Sequence, residues 1–154
     1  MPNEDTTGRA AGRTATAGDR AAAVAALPVR DGETPWTVDE VDELREELVT
    51  EIARLRVELS DADAELSDLL RNSGDGAGDD QADSGSSALE REQELTMVNN
   101  TRDLLEQNES ALRRIDLPEF GTCESCGSAI GKARLQAFPR ATLCVTCKAR
   151  QERR

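Results

Sequence analysis

Cys123-Glu-Ser-Cys126 is followed, after seventeen intervening residues, by Cys144-Val-Thr-Cys147, and the chain has no other cysteine. A two-residue gap lets both thiolates of a pair turn back onto one ion. Two such knuckles close a tetrahedron around Zn²⁺, with Zn–S bonds of roughly 2.3 Å. Gly121 and Gly127 flank the first pair and supply the backbone freedom a tight metal turn asks for. With four sulfur ligands and no histidine anywhere, no coordination position stays open to water. One structural zinc ion is therefore expected on Cys123, Cys126, Cys144 and Cys147. Disulfides compete with this reading, but no secretory signal is expected and the regular spacing suits metal better. A thioredoxin-like redox pair asks for a βαβ setting, which the pattern does not supply. Zinc with four thiolates carries a formal double negative charge, and Lys132, Arg134, Arg140 and Lys148 stand where they are expected to offset it.

Upstream of the cysteines, two long helical patterns end at Pro118, which cannot continue a helix. The first opens at Thr37-Val-Asp-Glu40, a capping box, with Trp36 placed to pack on Val41 as a hydrophobic staple. Apolar residues recur at Val41, Leu44, Leu48, Ile52, Leu55, Leu59, Ala62, Leu66 and Leu69. That is a coiled-coil seam with one stutter near Leu48, narrow enough for a single partner helix to cover. The helix is expected to stop near Arg71. Residues 72–86 hold four glycines, four aspartates and no basic residue, and read as a flexible acidic tip.

Ser87-Ala-Leu-Glu90 is a second capping box, and from it a second seam runs through Leu95, Val98, Thr101, Leu105, Asn108, Leu112 and Ile115. Thr101 and Asn108 interrupt it with polar groups of the kind that fix register. The two helices come to about 34 and 29 residues, or roughly 50 and 44 Å. Matched lengths and a short connection predict an antiparallel hairpin. Its base lies beside the cysteines and its acidic tip on the order of 40 Å away. Residues 145–153 read as a short C-terminal helix.

The fold class is thus mainly α: a coiled-coil hairpin over 36–118 and a four-cysteine zinc module over 119–154. Residues 1–35, rich in Ala, Gly, Thr and Arg without apolar periodicity, are expected to be a disordered N-terminal extension. Trp36, Phe120 and Phe138 are the only aromatics and charged residues make up 32% of the chain, so a large globular core is excluded.

Charge narrows the partners. Residues 36–118 carry 8 basic and 23 acidic groups, while residues 119–154 carry 7 and 3. A stalk this acidic repels nucleic acid, so direct sequence-specific DNA binding is not expected. Basic protein surfaces or bound Mg²⁺ are its natural counterparts. No stretch approaches the roughly 20 apolar residues of a membrane span, and a cytoplasmic monomer is the expectation. A closed ligand set, no histidine and no nucleophile–base pair argue against an enzyme.

Phe120-Gly-Thr-Cys-Glu-Ser-Cys-Gly127, Ile130-Gly131 and Leu143-Cys-Val-Thr-Cys-Lys148, behind a helical hairpin, resemble the DksA/TraR family of zinc-finger transcription regulators. The resemblance spans about residues 36 to 154. It implies a protein that binds bacterial RNA polymerase rather than DNA and inserts its coiled coil into the secondary channel. The family's tip motif, Asp-x-x-Asp-x-Ala, falls on Asp80-Gln-Ala-Asp83-Ser-Gly85, so Asp80 and Asp83 carry over while glycine replaces the last alanine. The two carboxylates share a face if the second helix begins before its Ser87 cap. Family members that use the alarmone ppGpp present basic residues on the second helix and around the zinc module. Lys148 matches, but Gln107 and Phe138 stand where cations are expected, leaving Arg134 or Arg140 to substitute. Weak or absent ppGpp cooperation follows from that pattern. The competing reading is a zinc-dependent scaffold or adaptor whose hairpin binds another partner and whose tip is inert.

Overall fold

The computed structural model describes residues 14–72 and 81–154, with side chains left undescribed at 81–84. Among the described residues five helices follow one another: α1 (Ala17–Ala25), α2 (Val38–Asn72), α3 (Gln81–Arg114), α4 (Lys132–Ala137) and α5 (Val145–Glu152). The main packing contact is α2 against α3, and α1 lies against α2.

The capping box that opens α2 forms as expected. Thr37 N–H donates to Glu40 Oε2 at 2.9 Å, and Glu40 N–H donates to Thr37 Oγ1 at 3.2 Å. Trp36 and Val41 enter one buried cluster with Leu44 and Leu48, and Ile52 and Leu55 carry the seam outward. From Leu59 onward burial weakens: Ala62 is buried, whereas Leu66 and Leu69 are only half-buried.

The pairing is antiparallel, because partners rise in number along one helix as they fall along the other. Arg45 pairs with Asp116, Arg56 with Glu109 at 2.7 Å and Asp63 with Arg102 at 3.6 Å. These pairs are largely exposed and add little stability each; the apolar seam carries the hairpin.

The second seam differs from expectation at its start. Leu95 is 49% exposed, and half-buried Glu94 takes the seam position instead. Counting back from Val98 and Thr101, an alternating three–four repeat lands on 94 rather than 95. Ala111, fully buried, shares the inner face with Leu112. The two polar interruptions are both buried but act differently. Thr101 Oγ1 reaches across to Glu58 Oε1 at 3.4 Å, while the Asn108 amide donates to Leu104 O in its own helix at 2.8 Å.

Two boundaries need correction. The second helix begins at Gln81, six residues before the Ser87 cap, so residues 81–86 are helical rather than part of a tip loop. Once a helix runs, each added residue contributes a hydrogen bond, which offsets the modest penalties of Gly85 and its neighbouring serines.

The N-terminal segment is also more ordered than expected. Residues 1–13 lie outside the described residues, but α1 is capped by its own box: Asp19 N–H donates to Thr16 Oγ1 at 3.2 Å and Thr16 N–H to Asp19 Oδ2 at 3.0 Å. Val24 and Leu27 then enter the core at the hairpin's base, with Val29 packed against it. The disordered extension expected over 1–35 is therefore wrong for the part from Ala17 onward. Its apolar residues are too few to fold alone, but the hairpin's base and the cysteine module cover them.

Candidate metal centre and the stalk it anchors

Each cysteine pair is positioned by a different local structure. Around the first, Thr122 and Ala129 form an antiparallel bridge; Cys123 N–H donates to Ser128 O at 2.8 Å and Gly127 N–H to Cys123 O at 2.9 Å. Gly127 completes this turn at φ +73°, in the left-handed region where a side chain would be strained. The second pair uses a helix start. Cys144 is the N-cap of α5, and its sulfur accepts from Cys147 N–H at 3.5 Å. Cys144 N–H in turn donates to Cys123 Sγ at 3.3 Å, and Glu124 N–H to Thr142 O at 2.9 Å, stitching the two knuckles together.

The four sulfurs all lie within 4.8 Å of one another, and Cys126 Sγ stands 3.8 Å from Cys144 Sγ. A tetrahedron with metal–sulfur bonds near 2.3 Å has sulfurs roughly 3.8 Å apart, so the donor set fits zinc. The same separation is far beyond a disulfide bond of about 2.05 Å, and all four cysteines are free.

Burial opposes ionisation at Cys123 most strongly, yet the N–H groups of Cys144, Cys126 and Ser125 aimed at its sulfur prevail and bring it down to about 6. Cys126 is lowered chiefly by the backbone N–H and side chain of Ser128. Cys147 receives a lowering bond from Ser125, but its neighbour Cys144, burial, and the other two thiols together push it up to about 11. Four thiolates so close repel one another, and a divalent cation removes that cost.

Two cations beside this site lie outside the expected set, and one of that set turns away. Arg30 and Arg150 line the hollow next to Cys126, Cys144 and Cys147. The Lys132 ammonium turns the other way, to Glu40 at 2.8 Å. Arg134 Nε donates to Leu143 O at 3.0 Å, and Lys148 lies 3.7 Å from Glu152. Arg150 stands only three residues past Cys147, a helical spacing visible in the sequence. Arg30 was invisible there, since only tertiary folding brings the N-terminal segment to the cysteines.

The positions singled out for the alarmone do meet. Gln107, Arg134, Phe138, Arg140 and Lys148 line one cleft between α3 and the cysteine module. Arg134 stacks on the Phe138 ring at 5.9 Å. At the far end of the stalk, Asp83 falls in the first turn of α3, while Asp80 lies outside the described residues. The structure therefore does not bring the tip pair into view as a unit. Among the described residues no helix is long and apolar enough to cross a membrane.

Residues 118–153 match the model of the prokaryotic dksA/traR C4-type zinc finger. An RNA polymerase-binding transcription factor DksA from Caulobacter vibrioides (strain NA1000 / CB15N) is 43% identical over 75 residues, 49% of this chain and 53% of that protein. The protein of the same name from Escherichia coli (strain K12) is 43% identical over 63 residues, 40% of this chain and 42% of its own length. The chain thus spans about half the length of the curated relatives it matches. The likeness reaches further in three dimensions. The transcription factor DksA2 from Pseudomonas aeruginosa superposes with a TM-score of 0.61 at 30% identity, covering 75% of this chain and 85% of that one. The clustered thiols and this zinc-finger match make Cys123, Cys126, Cys144 and Cys147 a zinc-binding site. With hairpin, zinc module and relatives in agreement, the chain belongs to the DksA/TraR family.

Proposed function

We propose that this protein binds bacterial RNA polymerase and regulates initiation by inserting the tip of its hairpin into the enzyme's secondary channel. The observation that carries the reading is the stalk itself. Helix α2 has 35 residues and α3 has 34, paired antiparallel, so the tip stands on the order of 50 Å from the base. A single structural zinc ion holds the base, and Asp80 and Asp83 are the groups delivered. Carboxylates suit a passage built to handle Mg²⁺ and to receive anionic nucleotides at basic surfaces.

Cooperation with ppGpp is weak or absent on this reading. The cleft that gathers Lys148 offers Gln107 and Phe138 in place of cations. Of its remaining cations, Arg134 is engaged by Leu143 O and Arg140 also lines a hollow with Glu43, Glu47 and Glu51. A polyanion meets little free positive charge there.

The test replaces Asp80 and Asp83 together with Asn and measures polymerase retention and promoter output in parallel. Retention is expected to persist while the transcriptional effect disappears, and adding ppGpp to the parent complex should change output little. Unaltered output from the double variant would leave the hairpin as a scaffold with an inert tip.

A further inference from the structure

The segment between α1 and α2 meets the cysteine module at the start of α4. Glu33 is the centre of that contact. Its two carboxylate oxygens accept from Lys132 N–H at 3.0 and 3.1 Å, and one also accepts from Arg30 N–H at 2.9 Å. These bonds from Arg30, ahead of those from Lys132, hold the Glu33 carboxyl below its usual range. The Lys132 side chain then passes back beneath the segment. Its ammonium donates to Thr34 Oγ1 at 3.2 Å and Pro35 O at 3.4 Å, pairs with Glu40 and sits 5.2 Å from the Trp36 ring centroid. Lys132 is only 7% exposed, so this is a charge committed to its partners.

The backbone at Gly131 is shaped for the same contact. Its φ is +107°, and a Cβ there would come within 2.8 Å of Arg30 Cδ. Trp36 closes the far side, with its Nε1 donating to Pro28 O at 3.4 Å and its ring tilted against Phe120 at 6.3 Å.

Helix α4 is the element that joins the two knuckles. It begins six residues after Cys126, buries Leu135 in the core, and is tied by Arg134 Nε to the carbonyl of Leu143, the residue before Cys144. A displacement at the start of α4 therefore reaches both cysteine pairs.

We propose that Glu33 and Lys132 are positioning residues of the metal site, acting through α4, so that docking of residues 28–37 and retention of the metal are linked. Linkage is reciprocal: whatever the docked segment adds to metal retention, the metal adds to docking of the segment. The claim concerns the base of the molecule and stands whether or not the tip enters a polymerase channel.

Trp36 is the only tryptophan in the chain and is 2% exposed, so its emission reports docking directly. The experiment uses the full zinc-loaded protein, Glu33→Gln, Lys132→Met, and Arg20→Ala as a control whose ion pair with Asp42 does not touch α4. Zinc release to a colorimetric chelator should be roughly tenfold faster in the first two variants, as expected for losing a charged hydrogen bond. Arg20→Ala should release zinc at the parent rate. Cobalt-loaded samples should keep the parent thiolate-to-cobalt spectrum, showing that the ligand set is intact. Chelation of the parent should shift Trp36 emission to the red. Parent-like release from both variants would overturn the proposal, and so would Trp36 emission indifferent to the chelator. Faster release from Glu33→Gln accompanied by a lowered hairpin melting temperature would also overturn it, by showing general unfolding instead of positioning; Lys132→Met, which also loses its pair with Glu40, is read for zinc release alone.

Discussion

Asn108 and Thr101 show how much a single side chain's partner matters. Both are polar residues in an apolar seam, 4% and 5% exposed. Only Thr101 crosses to the other helix, so only it contributes a specific inter-helix bond. Asn108 satisfies its amide within α3 and offers α2 no polar group in return. It therefore costs seam packing without fixing register. Asn108→Leu is expected to raise hairpin stability by about 1 kcal/mol, read from a urea titration of the helical signal at 222 nm. An unchanged or lowered midpoint would mean that the amide holds register after all. The sequence showed both residues as interruptions but not which way each would turn, because a buried amide or hydroxyl bonds to its own backbone or to a neighbour with similar ease. The cysteines are the opposite case. Their spacing favours a shared metal over disulfides, and the sulfurs cluster accordingly. Lys132 is less legible: it lies between the ligands in sequence while its long side chain reaches away from them, to Glu40.

At the scale of elements, helix starts divide by what sets them. The opening of α2 was legible because Thr37 and Glu40 satisfy each other locally, three residues apart. The opening of α3 was not, because the Ser87 box competes with a helix already running through it. Helix α1 carried a local signal in Thr16 and Asp19, but its stability comes from Val24 and Leu27 meeting a core made elsewhere in the chain. Glu40 joins these levels, since it caps α2 and holds Lys132. The hydrogen bond from Lys132 is the largest cause of its lowered pKa, followed by the Thr37 N–H. A carboxylate depressed in the folded state contributes stability that is fully present above its ordinary value of 4.5 and is lost as pH falls through the lower folded value. Glu40→Gln should therefore lower stability by roughly 1–3 kcal/mol at neutral pH, and by less as pH drops below 4.5. Thermal melts of both proteins at matched pH check this, because acid-driven protonation of the thiols is common to the pair. A gap that stayed constant down to pH 3 would show that the cap, not the charge, matters.

For the whole molecule, the division of labour between grip and reach can be separated without touching either end. The seam repeats every seven residues, so removing one repeat from each helix shortens the stalk and leaves the inward face in phase. Residues 59–65 of α2 and 97–103 of α3 are a matched pair of segments, joined across the hairpin by Asp63 and Arg102. They lie beyond the cluster that includes Leu48, Ala111 and the cysteines, so the base is untouched. Excising both withdraws the tip by about 10 Å, at 1.5 Å per residue. If the tip acts at depth, the shortened protein should still be retained by core RNA polymerase yet lose its effect on promoter output. The excised segments carry net charges of −3 and 0, so a full-length companion with Asp61→Asn, Asp63→Asn and Glu65→Gln separates lost attraction to a basic channel from lost length. A shortened stalk that regulated as well as the parent would mean that the base alone is the active part, and length would then have no role in the mechanism.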